Sequence, residues 1–254
     1  MTPLEKNYTA AILIIGNEIL SGRTQDTNIA YLAQNFAKNG VAVEEVRIVP
    51  DIEERIIDAI HEMKKKVDYV ITTGGIGPTH DDITAQAIAK AFKVKLELHS
   101  KAHDVLLKYY GKDELTAARM KMAMIPETGR LIENPVTAAP GFKIGNIYVL
   151  AGVPEIMRAM FDHVLQMIET GEPVLSRTLS CKIPESAIAG DLGVLQTKYP
   201  DIEIGSYPHY RKGVLGLSLV LRSRKKDILE EATQEAAELI RTYGDEPVLP
   251  DEVK

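Results

Sequence analysis

Residues Val67 to Phe92 read VDYVITTGGIGPTHDDITAQAIAKAF. Val67 to Thr72 is a short, β-branched run of the kind that forms a strand inside a sheet. Ile83 to Phe92 has the spacing of a helix, and the glycine-rich segment Thr73 to Asp82 joins the two. Working outward, the same unit repeats upstream. Ala10 to Ile15 is a continuously apolar run that ends at Gly16, a second buried strand. Ile29, Leu32, Ala33, Phe36 and Ala37 recur at helical spacing, with Gly40 where a helix C-cap belongs. Val41 to Val49 is a further strand, and Asp51 with Glu54 forms an N-cap pair for a helix carrying Ile52, Ile56, Ile60 and Met63 on one face. Strand and helix alternating with short connections predict a parallel sheet with right-handed crossovers.

Downstream the pattern is less regular. Helical spacing recurs at His99 to Tyr110 and at Leu115 to Met124, Ile147 to Ala151 reads as another buried strand, and Pro154 to Ile168 as another helix. Thr170-Gly171-Glu172-Pro173 is a linker, and beyond it the character changes. Val174 to Cys181 is strand-like and Ser186 to Tyr199 helical, while Leu215, Leu217, Leu219 and Leu221 alternate as in a half-buried antiparallel strand. Ile228 to Tyr243 carries a 3.6-residue apolar stripe. The expected fold class is therefore α/β: a three-layer α/β/α domain over residues 1–170 with a mostly parallel sheet, plus a small α+β domain over 174–245. A frayed tail, 246–254, completes the expectation.

Composition narrows the function. The 254 residues carry 30 Lys plus Arg against 36 Asp plus Glu, a net charge of −6, which argues against a nucleic-acid partner because phosphate backbones need concentrated positive charge. One cysteine excludes a disulfide framework and a thiolate metal knuckle and favours a reducing compartment. No apolar run approaches the roughly 20 residues of a membrane span, and Met1 to Tyr8 has no apolar signal core. A cytoplasmic protein without a membrane partner is expected.

In an open α/β sheet, ligands gather beyond the carboxyl ends of the strands. Three unusual segments fall there: Gly16 to Gly22 running on to Asn28, Thr73 to Asp82, and Gly152-Val153-Pro154-Glu155. Gly74, Gly75 and Gly77 let backbone N–H groups turn toward a phosphate, although the string is neither a Walker loop nor a dinucleotide fingerprint. The competing reading is a plain glycine turn in which Thr79, Asp81 and Asp82 cap the following helix. Glu18, Asp81 and Asp82 would repel a phosphate unless a cation lay between them, and oxygen ligands suit Mg²⁺, Mn²⁺ or a borderline metal. Alternatively Glu18 and Asp81 are solvated or paired with Arg23 or a Lys.

Weaker signals stand beside these. His80 sits inside the glycine loop, a candidate substrate contact, and His99 with His103 share an i, i+4 face without the glutamate of a zinc-protease helix. Gly190-Asp191-Leu192-Gly193 matches the spacing of an RNA-binding loop but places an acid where a phosphate clamp wants none. Cys181 reads as a small buried apolar residue. Lys64-Lys65-Lys66 and Arg222 to Lys226 read as solvated ends, and Tyr207 to Lys212 as a turn or, alternatively, a basic aromatic flap.

The strings Gly16-Asn17-Glu18-Ile19-Leu20-Ser21-Gly22 with Asp26-Thr27-Asn28, and Thr73 to Thr84, resemble the molybdopterin-binding (Mog/MoaB-like) domain family, in the form found at the N-terminus of CinA-like competence/damage-inducible proteins. Asn134 to Gly141 and Gly152 to Met157 extend the resemblance through the first 170 residues or so. Ile202 to Pro208 and the Leu215 ladder resemble the small domain that follows in those proteins, and a similar pair opens eukaryotic FAD synthases. One departure is visible: the family's Gly-Thr-Ala-Pro-Gly is here Thr137-Ala138-Ala139-Pro140-Gly141, and the larger residue at 137 is expected to restrict backbone approach to a ligand.

The resemblance implies a nucleotide or pterin pyrophosphate as small-molecule partner. It implies a metal-dependent pyrophosphatase of the ADP-ribose or FAD type, the alternative being a molybdopterin- or nucleotide-binding module without hydrolysis. On the first reading Asp81, Asp82 and Glu18 are catalytic and hold a divalent Mg, Mn or Co ion. Gly74, Gly75, Gly77, Thr79, Asn28, Gly152, Pro154 and Glu155 then bind the substrate. A homo-oligomer is expected, and neither the amidase nor the FAD-forming activity of longer family members.

Overall fold

The computed structural model describes residues 6–211 and 213–248. Two compact units divide between Gly171 and Glu172. The first contains, in chain order, β1 (Tyr8–Ile15), α1 (Asn17–Leu20), α2 (Asn28–Lys38), β2 (Val41–Val49), α3 (Glu53–Met63), β3 (Tyr69–Thr73) and α4 (Thr84–Phe92). There follow β4 (Leu96–Leu98), α5 (Ser100–Tyr110), α6 (Ala117–Met120), a 3-10 turn at Lys121–Ala123, β5 (Met124–Pro126), β6 (Arg130–Ile132), β7 (Gly141–Ile144), β8 (Ile147–Leu150) and α7 (Pro154–Leu165).

The main sheet has the order β2-β1-β3-β8-β7-β6. Its first four strands are parallel, β7 runs antiparallel to them, and β6, antiparallel to β7, points the same way as the first four. The reversal has a local cause. Only Gly145 and Asn146 separate β7 from β8, and Gly145 takes φ 57°, so the chain turns in a hairpin too tight for a crossover. The parallel β1 is buried on both faces because its side chains alternate between two cores. Ala11, Leu13 and Ile15 meet α3, α4 and α5, while Ala10, Ile12 and Ile14 meet α2 and α7. That two-sided burial, worth roughly 1.5–3 kcal/mol per large aliphatic side chain, makes the unit three layers thick.

Two local expectations change. Leu115 to Met124 is not one helix: α6 lasts a single turn, capped by Thr116 Oγ1, which accepts from Arg119 N at 3.3 Å, and Met124 already belongs to β5. Asp51 does not cap α3, whose N-cap residue is Ile52 with no side-chain hydrogen bond. Its Oδ2 instead accepts from Asn17 N at 2.8 Å, drawn to an orphan N–H at the start of α1.

The second unit is built from β9 (Leu175–Cys181), α8 (Glu185–Lys198), β10 (Glu203–Arg211), β11 (Val214–Ser223) and α9 (Lys226–Thr242), with antiparallel strand order β10-β11-β9. Leu217, Leu219 and Leu221 are fully buried under α8 and α9, but Leu215 is 57% exposed. It pairs with Tyr210 at the end of the hairpin where β9 no longer reaches, so nothing covers it. The expected turn at Tyr207 to Lys212 is strand β10 through Arg211, and Lys212 lies outside the described residues. Gly190 to Gly193 is a turn inside α8, where Asp191 accepts from the Tyr243 hydroxyl at 2.6 Å, so it forms no nucleic-acid loop. Cys181 is buried, which pushes its thiol pKa up. Of the expected frayed tail, Val248 pairs through its backbone with Ser180, and residues 249–254 lie outside the described residues.

If helix cover rather than alternation decides the value of each leucine, Leu219→Ala costs about 2–5 kcal/mol and Leu215→Ala under about 0.5 kcal/mol. Urea unfolding of the two variants measures both.

Candidate functional site

The chain leaves β1 toward β2 on one side of the sheet and returns to β3 on the other. The order therefore reverses between β1 and β3, and their carboxyl ends open a crevice. A cleft of about 760 Å³ lies there. Of the residues expected to act together, Glu18, Gly74, Gly75, Gly77, Thr79, Asp81, Asp82, Gly152 and Pro154 line it. Asn28 and Glu155 are not among its lining residues.

The glycine loop is shaped by contacts that no side chain could share. Gly74 has φ 102°, and a Cβ there would sit 2.1 Å from the Ile15 carbonyl oxygen at the end of β1. Gly75 has φ 68°, and its Cβ would meet Thr84 Oγ1 at 2.2 Å. Thr84, fully buried, closes the loop: its hydroxyl donates to Gly74 O at 2.9 Å and its N–H to Gly75 O at 3.0 Å. Among the described residues the N–H groups of Gly75, Ile76 and Gly77 donate to no protein acceptor. Consecutive unpaired N–H groups in a glycine turn form an anion-binding concavity.

The acids come next. Thr79 Oγ1 lies 2.5 Å from both Asp81 Oδ1 and Asp82 Oδ2, and Thr79 N donates to Asp82 Oδ2 at 2.7 Å. The Thr79 hydroxyl holds the Asp81 carboxyl below its ordinary pKa of 3.8. Helix α4 begins only at Thr84, with Ile83 as its N-cap residue, so these acids fold onto Thr79 instead of capping the helix. A hydroxyl has one proton, and it cannot serve two carboxylates at once. Lys121 Nζ holds the Thr79 carbonyl. Glu18, in the first turn of α1, folds its carboxylate back over Gly16, both oxygens 2.6 Å from where a Cβ would be. Among the described residues no three His, Cys, Asp or Glu side chains converge as a ready metal cage. Asp81 and Asp82 are the pair that would hold a cation here, and its other positions would fall to substrate oxygens and water, as Mg²⁺ commonly accepts.

Asn28 lies behind this surface. It is 4% exposed and its Nδ2 donates to Gly152 O at 2.8 Å, which fixes the loop after β8. Gly152 in turn packs so near Gly74 that a Cβ would stand 3.2 Å from Gly74 Cα. Asn134, also buried, binds Thr137 Oγ1 at 2.7 Å and Ala139 O at 2.8 Å through Nδ2, so the hydroxyl of the departing residue Thr137 is tied into its own loop at the cleft wall. Of the candidate histidines, His99 Nδ1 accepts from Ala102 N as the cap of α5, His103 faces Asp104, and His80 is exposed and outside the lining.

Sequence reasoning missed Asp51, Tyr110, Arg119 and Asn134 as residues of the cleft wall. Asp51 follows β2, so the strand-edge rule applied to Glu18 would have found it. Tyr110 and Arg119 come from the stretch between β4 and β5, which has no strand polarity to locate it.

The fold and the cleft define an α/β protein with a composite crevice at its switch point. Comparison with known proteins makes this specific. Residues 11–175 match the model of the "Probable molybdopterin binding domain" family, and residues 173–244 match that of "FAD synthase, middle domain". The chain belongs to the molybdopterin-binding (Mog/MoaB-like) domain family, in its CinA-like form. A protein of Archaeoglobus fulgidus is 34% identical over 90% of this chain and 96% of its own length, and one of Aeropyrum pernix is 36% identical over 92% and 91%. The crystal structure of the protein CinA from Thermoplasma acidophilum is 36% identical and aligns at a TM-score of 0.60, covering 64% of this chain and 99% of that one. Among the described residues no helix is long and apolar enough to cross a membrane.

The close approach of Gly74 to β1 predicts that Gly74→Ala costs about 2–4 kcal/mol, whereas Gly22→Ala, also at positive φ but in open space, costs about 1 kcal/mol. Chemical denaturation of the two variants gives the comparison.

Proposed function

We propose that the cleft binds a nucleotide or pterin pyrophosphate and, with a divalent cation, hydrolyses its P–O–P bond. The observation that carries this reading is the loop from Gly75 to Asp82. There, three unpaired N–H groups stand beside two carboxylates that compete for one hydroxyl proton. An anion is favoured at one end of the loop and a cation at the other, and a metal-bound phosphate supplies both. Asp81 and Asp82 would hold the ion, which when bound polarises a phosphoryl oxygen and acidifies water.

The residues of the chain divide the remaining work. The N–H groups of Gly75, Ile76 and Gly77 bind phosphate oxygens and stabilise the charge that grows on them as water attacks. A bond forms from the water oxygen to phosphorus while the bridging P–O bond breaks, and the bridging oxygen leaves with its electron pair on the second phosphate. Glu18 takes the proton of the attacking water. Asn28, Gly152 and Asn134 position the surrounding loops. The family models that match, for a molybdopterin-binding domain and an FAD synthase domain, favour a ligand with a flat heterocycle and a phosphate chain.

A second reading, binding without hydrolysis, is favoured by the lack of a three-acid cage among the described residues. One assay separates them. ADP-ribose and FAD are incubated with Mg²⁺, Mn²⁺, Co²⁺ or EDTA, and AMP is followed. Cation-dependent AMP release is expected, with Asp81→Ala and Asp82→Ala each lowering kcat about 100-fold or more while the thermal midpoint stays nearly constant because Asp81 is exposed and Asp82 only half-buried. Ligand-dependent thermal stabilisation without AMP would establish the binding module instead. Turnover untouched in both variants would sink the assignment of the acids.

A further inference from the structure

The cleft wall carries four carboxylates, Glu18, Asp51, Asp81 and Asp82, and among its described lining residues a single cation, Arg119. A pyrophosphate entering this surface adds further negative charge. How Arg119 is held therefore matters. Its Nη1 donates to the Glu114 carbonyl and to Glu114 Oε2, the latter at 2.8 Å. Its guanidinium carbon stands 4.3 Å from the centroid of the Tyr110 ring, and Tyr110 is itself buttressed edge-on by Tyr109, centroids 4.9 Å apart at 87°. One nitrogen and one face of the guanidinium are thus committed.

The opposite edge is not. Among the described residues Nε and Nη2 have no protein acceptor, and the side chain keeps 33% of its surface exposed. That edge presents two parallel N–H groups, the fork that matches two oxygens of one phosphoryl group. A free arginine loses rotamer freedom when it binds, but one already stacked and ion-paired has lost most of it beforehand. The surface ion pair with Glu114 contributes little stability of its own. Its consequence is orientation.

We propose that Arg119 recognises the ligand through its Nε/Nη2 edge, which binds one phosphoryl group of a pyrophosphate, and that Tyr110 and Glu114 are its positioning residues. The inference rests on the pyrophosphate reading of the cleft and adds the residue that selects for phosphate. It also separates this contact from the glycine loop. The loop takes one phosphate, and Arg119 the other.

Calorimetric titration with inorganic pyrophosphate and with ADP-ribose, each in Mg²⁺, tests this on the full chain. Arg119→Ala and Arg119→Lys are both expected to weaken the two ligands by about tenfold or more, because lysine keeps the charge and loses the fork. Tyr110→Leu and Glu114→Gln are expected to weaken binding in the wild-type background and to add nothing in the Arg119→Ala background, a coupling that a merely structural role would not produce. Affinities within about twofold of wild type in both Arg119 variants overturn the inference, and cation-dependent AMP release by those same variants then leaves the hydrolysis reading standing. Loss of binding in the variants alongside a wild type that binds but releases no AMP supports Arg119 and removes hydrolysis. A wild type that binds neither ligand overturns both.

Discussion

The contact on which the molecule depends is the approach of Gly74 to the Ile15 carbonyl. Two neighbouring parallel strands, β1 and β3, end side by side, and the chain leaving β3 must pass across the end of β1. Any Cβ at residue 74 would occupy that carbonyl's space. Because glycine fits, the loop turns sharply over the sheet edge, and Thr84 pins its far end by bonding Gly74 and Gly75. The unpaired N–H groups of the loop are a consequence of this geometry. A chain free to relax would pair them with its own carbonyls.

Charge organises the rest of the cleft. Four acids crowd its wall, and three of them are bound by a nearby donor. Asp51 accepts from the first N–H of α1, Asp82 from Thr79 N, and Asp81 from the Thr79 hydroxyl, which holds its carboxyl below the usual range. What the fold leaves over is an excess of negative charge at one end of the loop and unsatisfied donors at the other. Arg119 adds one clamped positive group. On the proposed reading, such a surface favours an anion that arrives with a cation over a bare one.

The second unit illustrates a different economy. Its antiparallel three-stranded sheet has one face under α8 and α9, so Leu217, Leu219 and Leu221 are buried while the fourth leucine of the series is open to water. Polar side chains tidy its ends: Gln196 bonds Tyr199 O, Ile202 O and Ile204 N, closing the chain between α8 and β10. The Tyr199 hydroxyl lies 2.8 Å from Glu235 Oε2 and 3.1 Å from Glu231 Oε1, and burial together with those carboxylates pushes its pKa well up.

Much of this was legible from residue order alone. The runs Ala10 to Ile15 and Val41 to Val49, the stripe of α2 and the glycine string after β3 carry local periods and turn chemistry, so they announce strands, helices and a composite edge without any knowledge of contacts. The antiparallel end of the sheet was legible in principle, through Gly145 and Asn146 between two apolar runs, and was missed because strands of three or four residues are too short to show a period. Sequence by itself thus determined the layered fold, the family and the identity of the loop acids. Tertiary structure alone decided that Asp51 serves α1 and not α3, that Asn28 supports Gly152 from behind, and that Tyr110 and Arg119 reach the cleft. These depend on the meeting of segments tens of residues apart, where burial and unpaired hydrogen-bonding groups, not local propensity, choose the partner.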